Sequence, residues 1–327
     1  MTTKELLLEL LETRKGTFFS GEEIAQKLCV SRAAVWKAVK NLQNEGYEIK
    51  AVTKKGYCLG TDTDILSVQG IRKYLEDNGQ DLDILVLPTA ESTNSLVREK
   101  AAQGGCEGLV IVSNEQTGGR GRYGRTFFSP DKTGIYLSIL LKPTLPSAQA
   151  LCITTMAAVA MCEAIEEVSP ETPQIKWVND IFVSGRKVCG ILTEAALDLE
   201  SGMLAYAVLG VGVNVYPPQD GFPEEIRHTA GSVFSSAQTD AKNRLAAAFL
   251  NRFLSYYRTP GFGGYLEKYR VRNLVMGKKA TVFQNGTTRQ VDICGIDDGC
   301  RLIVRDKDGQ IDHLSYGEIQ ISNYSHH

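Results

Sequence analysis

The chain opens with apolar residues at helical spacing among acidic ones, MTTKELLLELLETRKG, which predicts a helix near residues 3 to 14. Ser20 caps a second helix with Ile24, Ala25 and Leu28 on one face, and Glu23 completes a capping box. Cys29 and Val30 make the turn. Ser31 caps a third helix with Val35, Val39 and Leu42 inward and Arg32, Lys37 and Lys40 outward, and Gly46 ends it. YEIKAV, TKKG and YCL then read as two short strands around a basic turn. Helix, tight turn, helix and basic hairpin make a winged helix-turn-helix over residues 1–60. A small helical protein-interaction module fits the same pattern, and surface lysines are often only a solvated face. If the unit binds DNA, the groove-facing residues are Ser31, Arg32, Ala33, Trp36 and Lys37, with Lys54 and Lys55 at the wing tip.

A short polar connection, residues 61–66, leads into a unit expected over 67–271. There strands and helices alternate: DILVLP, a loop TAESTN, helix SLVREKAA, LVIVSNE, an arginine-rich loop, GIYLSILL, and a largely buried helix from about Ser147 to Val168. QIKWVN, DIFVSG, KVCGILTEAAL and YAVLGVGVNV follow, joined mostly by tight turns, then a Pro-rich loop and helices near 240 to 258 and 262 to 270. Strands in tight succession pair antiparallel, so the class is multidomain α+β with a mixed or antiparallel sheet, not a doubly wound one. Residues 272–323 hold four or five short strands separated by NG, DDG and KDG turns, a small all-β barrel.

Composition and charge adjust this picture in two places. The net charge of -2 divides into +3 over residues 1–60 and -5 over the remainder, which tilts the N-terminal unit toward nucleic acid. The eight cysteines include no C-x-x-C pair and the four histidines (His228, His313, His326, His327) are not spaced to join a metal cluster, so no metal held by protein side chains alone is expected. Glu5, Glu9 and Glu12 interrupt the N-terminal apolar run and the apolar tract LCITTMAAVAMCEAI is short, which predicts a cytoplasmic protein with no membrane partner.

The candidate chemistry begins at GGRGRYGR, residues 118 to 125, where Gly119, Gly121 and Gly124 satisfy Gly-x-Gly-x-x-Gly. A dinucleotide fingerprint needs a helix directly after the glycines and an acid about twenty residues on; a β-rich segment follows instead, and Asp131 is the only acid between Arg125 and Glu163. The kinase pattern lacks its valine and lysine strand, and no GK[ST] makes a P-loop. What remains is a loop whose glycines allow close approach to a ligand and whose Arg120, Arg122 and Arg125 supply fork-shaped donors to an anion. Arginines on a flexible surface turn are the plainer alternative.

Distant companions favour the ligand. KWVNDI places Lys176, Asn179 and Asp180 at a strand turn, RKVCGIL places Lys187 on the next strand, and GVGVNV ends at Asn214. On neighbouring strands these can converge into a pocket for a phosphate-bearing ligand with its magnesium, although KWVND also suits a hairpin with Trp177 in the core.

ESTN (91 to 94), EQTGGRGRYGRTFFSP (115 to 130), KWVNDI, RKVCGIL and GVGVN, in this order, resemble biotin protein ligases, and the winged helix ahead of them resembles the bifunctional BirA-like type. The resemblance implies a central ligase domain, an SH3-like C-terminal domain, and formation of biotinyl-5′-AMP from biotin and ATP with Mg²⁺. Transfer to a lysine of a biotin carboxyl carrier domain of a carboxylase follows. It also implies a biotin-responsive repressor that binds operator DNA as a ligand-promoted homodimer. By motif position, Ser92, Thr93, Asn94, Gln116, Gly119, Arg120, Gly121, Arg122, Lys187 and Gly190 fall at the biotin site. Arg122, Arg125, Phe127, Lys176, Asn179 and Asn214 fall at the ATP site, with Arg122, Lys187 and Asp180 catalytic and Mg²⁺ near Asn179 and Asp180. Val178 stands where the family often has proline, and Phe127 where some members have tryptophan, its ring expected on adenine. Two other readings are a lipoate or octanoyl ligase, which shares the catalytic fold, and a non-enzymatic repressor that senses a small anion.

Overall fold

A computed structural model describes residues 1–284 and 286–321. Asn285 of the expected NG turn, His326, His327 and the end of the expected 272–323 unit lie outside the described residues.

The N-terminal unit forms as its polar caps direct. Helices α1 (Thr3–Glu12), α2 (Gly21–Leu28) and α3 (Arg32–Asn44) are capped by Thr2, Ser20 and Ser31, with capping boxes at the first two. Cys29 closes α2 in the left-handed region, at φ 53°. Leu7, Leu11, Ile24, Val35, Val39 and Leu42 meet in one core, closed by Leu59. That leucine ends the antiparallel hairpin of β1 (Ile49–Val52) and β2 (Gly56–Leu59).

The segment 61–66 is not the loose polar connection that its composition suggests. Thr63 and Leu66 are buried, and Asp64 accepts from the Tyr216 hydroxyl at 2.5 Å and from the Lys242 amide at 2.9 Å. Asp64 thus binds the central unit's surface, while Thr61 and Asp62 stay exposed. A short helix α4 (Val68–Arg72), which the sequence pattern did not reveal, follows directly.

The central sheet orders its strands β3 (Asp83–Ala90), β4 (Leu109–Gln116), β5 (Gly134–Leu141), β9 (Leu204–Asn214), β8 (Arg186–Leu197), β7 (Asp180–Val183) and β6 (Gln174–Lys176). Only β3 and β4 are parallel, joined by the crossover helix α5 (Thr93–Ala102). The expected loop TAESTN is absorbed from both sides, its first two residues into β3 and its last two into α5. Helix α6 (Ala150–Val168) is apolar enough in composition to cross a membrane, but its side chains are buried against the sheet, α7 (Ala241–Tyr257) and α8 (Tyr265–Arg272).

The C-terminal unit is a five-stranded antiparallel sheet. Its order is β13 (Ile311–Leu314), β12 (Leu302–Asp306), β11 (Thr287–Ile296), β10 (Lys279–Gln284) and β14 (Glu318–Ile321). Among the described residues its outer strands do not pair, so the expected barrel is open. It shares the core of the central unit, and Trp177 Nε1 donates to Cys300 O at 3.2 Å across the junction. There too Cys152 of α6 lies 3.8 Å, sulfur to sulfur, from Cys300.

A buried charge cluster joins the N-terminal unit to the central one. Asp240 accepts from the Tyr74 hydroxyl at 2.6 Å, from Lys73 at 3.0 Å and from Asn243 at 2.9 Å, and lies 3.1 Å from Lys15. Burial works against its charge, but the hydrogen bonds from Tyr74, Lys73 and Asn243 outweigh it and hold the pKa below the ordinary carboxylate value. Glu12 of α1 is 1% exposed, and its Oε2 faces Lys15 at 3.1 Å and Lys73 at 3.8 Å as charge contacts, not aligned hydrogen bonds. Burial dominates there and raises the Glu12 pKa.

Candidate active site

One row of cross-strand neighbours forms the floor of the site. The register places Lys176 opposite Asp180, Asp180 opposite Gly190, Gly190 opposite Gly212 and Gly212 opposite Tyr136, so all five share a face. A bulge after Ile181 brings Lys187 back toward this row, where its Nζ lies 2.7 Å from Asp180 Oδ1. Burial pushes the Lys176 pKa down, with the Asp180 charge working in the other direction.

The two glycines leave a trough that the Phe127 ring occupies. A Cβ at Gly212 would fall 2.5 Å from that ring and one at Gly190 3.1 Å from it. The ring meets Tyr136 edge-on at 6.4 Å. Phe127 is thus the side chain that approaches Gly190 in this structure.

Above the trough, GGRGRYGR is an ordered hairpin. Phe127 N donates to Gly119 O at 2.9 Å and Gly121 N to Arg125 O at 2.7 Å. Arg122 lies over the Tyr123 ring at 5.0 Å and donates to Asn179 Oδ1 at 3.1 Å, while Asn179 Nδ2 donates to Ile191 O at 2.9 Å. The hairpin is tied to the C-terminal unit twice. Gly317 N donates to the Tyr123 hydroxyl at 3.2 Å, and Arg125 pairs with Glu318 at 2.7 Å, which raises the arginine's pKa.

At the other end, Ser92 caps α5 and Thr93 N donates to Gln116 Oε1 at 2.8 Å. Gln116 Nε2 donates to Ser129 Oγ at 3.2 Å. Asn94 is pressed against β9: a Cβ at Gly210 would fall 2.0 Å from its Oδ1.

Between floor and hairpin lies a cavity of about 520 Å³. Ser92, Thr93, Asn94, Gln116, Arg120, Gly121, Arg122, Arg125, Phe127, Lys176, Asn179, Asp180, Lys187 and Gly190 all line it. Gly119 sits behind the rim, its carbonyl holding Phe127 N. Asn214 is not brought in. It lies one pleat beyond Gly212, and its Nδ2 donates to Gly231 O at 3.0 Å. Sequence reasoning missed Gly317 and Glu318, which lie on the lip nearly two hundred residues after the arginine loop and carry no local signal. Among the described residues no group of three or more His, Cys, Asp or Glu is placed to hold a metal ion.

In the N-terminal unit Arg32, Ala33, Trp36 and Lys37 lie exposed on α3, and Ser31 Oγ accepts from Ala34 N as its cap. Trp36 is 56% exposed, a large apolar side chain on the surface. Lys54 and Lys55 are exposed in the β1–β2 turn.

Comparison with known proteins agrees with this layout. Residues 86–214 match the Biotin/lipoate A/B protein ligase family and residues 3–58 an HTH domain. The bifunctional ligase/repressor BirA of Bacillus subtilis is 35% identical over 236 residues, 72% of this chain and 72% of that protein. The protein of the same description from Escherichia coli is 28% identical over 318 residues, 94% of each. In fold, a solved biotin protein ligase from Aquifex aeolicus superposes with a TM-score of 0.60 at 22% identity, covering 73% of this chain and 98% of that one. The chain belongs to the biotin protein ligases, within them to the bifunctional ligase/repressor type.

Proposed function

We propose that the cavity is where this ligase joins biotin to AMP and from which it passes the biotinyl group to a lysine of a biotin carboxyl carrier domain. The observation that carries the reading is the convergence of Arg120, Arg122, Arg125, Lys176 and Lys187 on one cavity, with Asp180 beside Lys187 and Glu318 beside Arg125. A carboxylate attacking an α-phosphate brings two anions together, and fixed cations in a water-poor site lower that barrier. The biotin carboxylate oxygen bonds to phosphorus as pyrophosphate leaves; the acceptor amine then attacks the carbonyl and AMP leaves.

Ser92, Thr93, Asn94 and Gln116 hold the ring end of biotin in this scheme, and Lys187 exchanges Asp180 for the substrate's carboxylate or phosphate. Arg122 closes over the adenylate. Asp180, released from Lys187, orients or deprotonates the incoming lysine. Asn179 and Asp180 would hold the Mg²⁺ that accompanies ATP, which would supply charge neutralisation there.

The N-terminal unit makes the chain a repressor as well. Its α3 face of Ser31, Arg32, Ala33, Trp36 and Lys37 enters the DNA groove with Lys54 and Lys55 on the flanking backbone, and ligand-promoted dimers span paired half-sites. Such work places the protein in the cytoplasm.

Incubation with labelled biotin and MgATP should leave biotinyl-adenylate on the protein and biotin on an added carrier domain. If neither appears, the ligase assignment of the cavity fails; if lipoate is consumed in preference to biotin, the substrate is wrong. Sizing with and without biotin and ATP tests the dimer, and a monomer throughout would remove it.

A further inference from the structure

Behind the Ser92–Asn94 end of the cavity, a line of polar side chains runs from α5 through β5 to β8, and chemistry fixes its proton directions. Asn94 Nδ2 lies 2.8 Å from Glu194 Oε2 and 3.3 Å from Leu192 O. Both partners only accept, so the amide nitrogen faces β8 and Oδ1 faces Ser138. Ser138 is fully buried, with Asn94 Oδ1 at 2.6 Å and Thr93 Oγ1 at 2.7 Å. It has one proton, and the amide oxygen has none to offer in return. Ser138 therefore donates to Asn94, and the Thr93 hydroxyl proton points to Ser138. Gln116 Oε1 competes poorly for that proton, lying 3.1 Å from the hydroxyl while it takes the Thr93 N–H at 2.8 Å. Thr93 is left with its lone pairs toward the cavity.

An acceptor fixed there selects a ligand end that carries an N–H donor. We infer that Glu194, acting through Asn94, Ser138 and Thr93, is a positioning residue that sets specificity for a cyclic urea over rings without a donor, such as a dithiolane. Glu194 does not line the cavity, and Arg98 holds its other oxygen at 2.8 Å. The inference rests on the assignment of this cavity to biotin. Nothing about the strand KVCGILTEAAL marks Glu194 as more than a polar residue near a strand's middle.

The test compares biotin with an analogue methylated on both ureido nitrogens, by calorimetry on the full chain without nucleotide. Glu194→Gln provides an amide that can donate to Asn94, which lets the Asn94 amide turn over and reverses the line behind it. Biotin affinity should then fall about tenfold while that for the methylated analogue moves less than about twofold, so the ratio narrows. Turnover at saturating biotin and the KM for ATP should stay within about twofold, since neither reads the urea. Ser138→Ala breaks the same line and should narrow the ratio too; if Glu194→Gln fails to fold, it decides alone. Arg98→Ala removes the ion pair and leaves the carboxylate, so its ratio should match the wild type. An unchanged ratio in Glu194→Gln, or an equal narrowing in Arg98→Ala, overturns the inference. A wild-type chain that does not bind biotin at all overturns the assignment of the cavity instead.

Discussion

Gly210 and Gly212 decide what the cavity can hold, because each leaves room for a side chain from elsewhere. Neither has a positive φ, so the demand is for space and not for backbone freedom. Gly210→Ala would drive Asn94 off the sheet; calorimetry should show biotin binding weakened at least about tenfold, and urea unfolding a loss of about 1–3 kcal/mol from overpacking. Gly212→Ala would displace the Phe127 ring instead and should impair adenylate formation more than biotin binding, measured by single-turnover assay. At this scale the sequence is legible where a polar residue stands out: Gln116 beside the glycine-rich loop, or Lys187 after a turn. Ser138 within GIYLSILL and Glu194 within β8 look like strand residues. Only the neighbours that the fold supplies turn them into parts of the site.

Among the elements, the arginine hairpin bonds to itself and rests on β14. Arg122 reaches into the site, so Arg122→Ala should speed loss of bound adenylate about 10- to 100-fold in a rapid-mixing release assay. Arg125 and Glu318 are 64% and 43% exposed, and such a pair contributes about 0.2–1 kcal/mol. Glu318→Gln should therefore speed release less than about fivefold, and the difference should fade in high salt. Caps and periodicity made most helices and strands readable. The strand order was not, because β9 inserts between β5 and β8 through pairings that no local pattern encodes. Helix α4 is too short to show a period, and nothing near the arginine loop announces that its partner is Glu318.

The whole molecule turns on Asp240, where the N-terminal and central units share charge. Its pKa is depressed, so its contribution to stability is complete above the unfolded-state carboxylate pKa of about 3.9 and is lost as pH falls through the lower folded value. Asp240→Asn would leave Lys15 and Lys73 facing only Glu12, and should cost about 2–4 kcal/mol at pH 7 by urea unfolding. That gap should close in acid. Glu12 has the opposite sign: its raised pKa means that ionisation at neutral pH works against folding, so Glu12→Gln should cost far less than Asp240→Asn.

The packed segment 61–66 also decides where this chain can be divided. Composition places the seam at residue 67, but Asp64 and Leu66 already belong to the central unit's surface and core. A fragment begun at residue 60 keeps them. One begun at residue 67 takes the Asp64 carboxylate from Tyr216 and the Lys242 amide and opens a hole where Leu66 packed, a loss of about 2–4 kcal/mol between the two fragments in the same unfolding measurement. In the whole protein, proteases should find residues 63–66 a poor place to cut, and a ligase fragment is better begun at residue 60, where the N-terminal unit ends, than at 67.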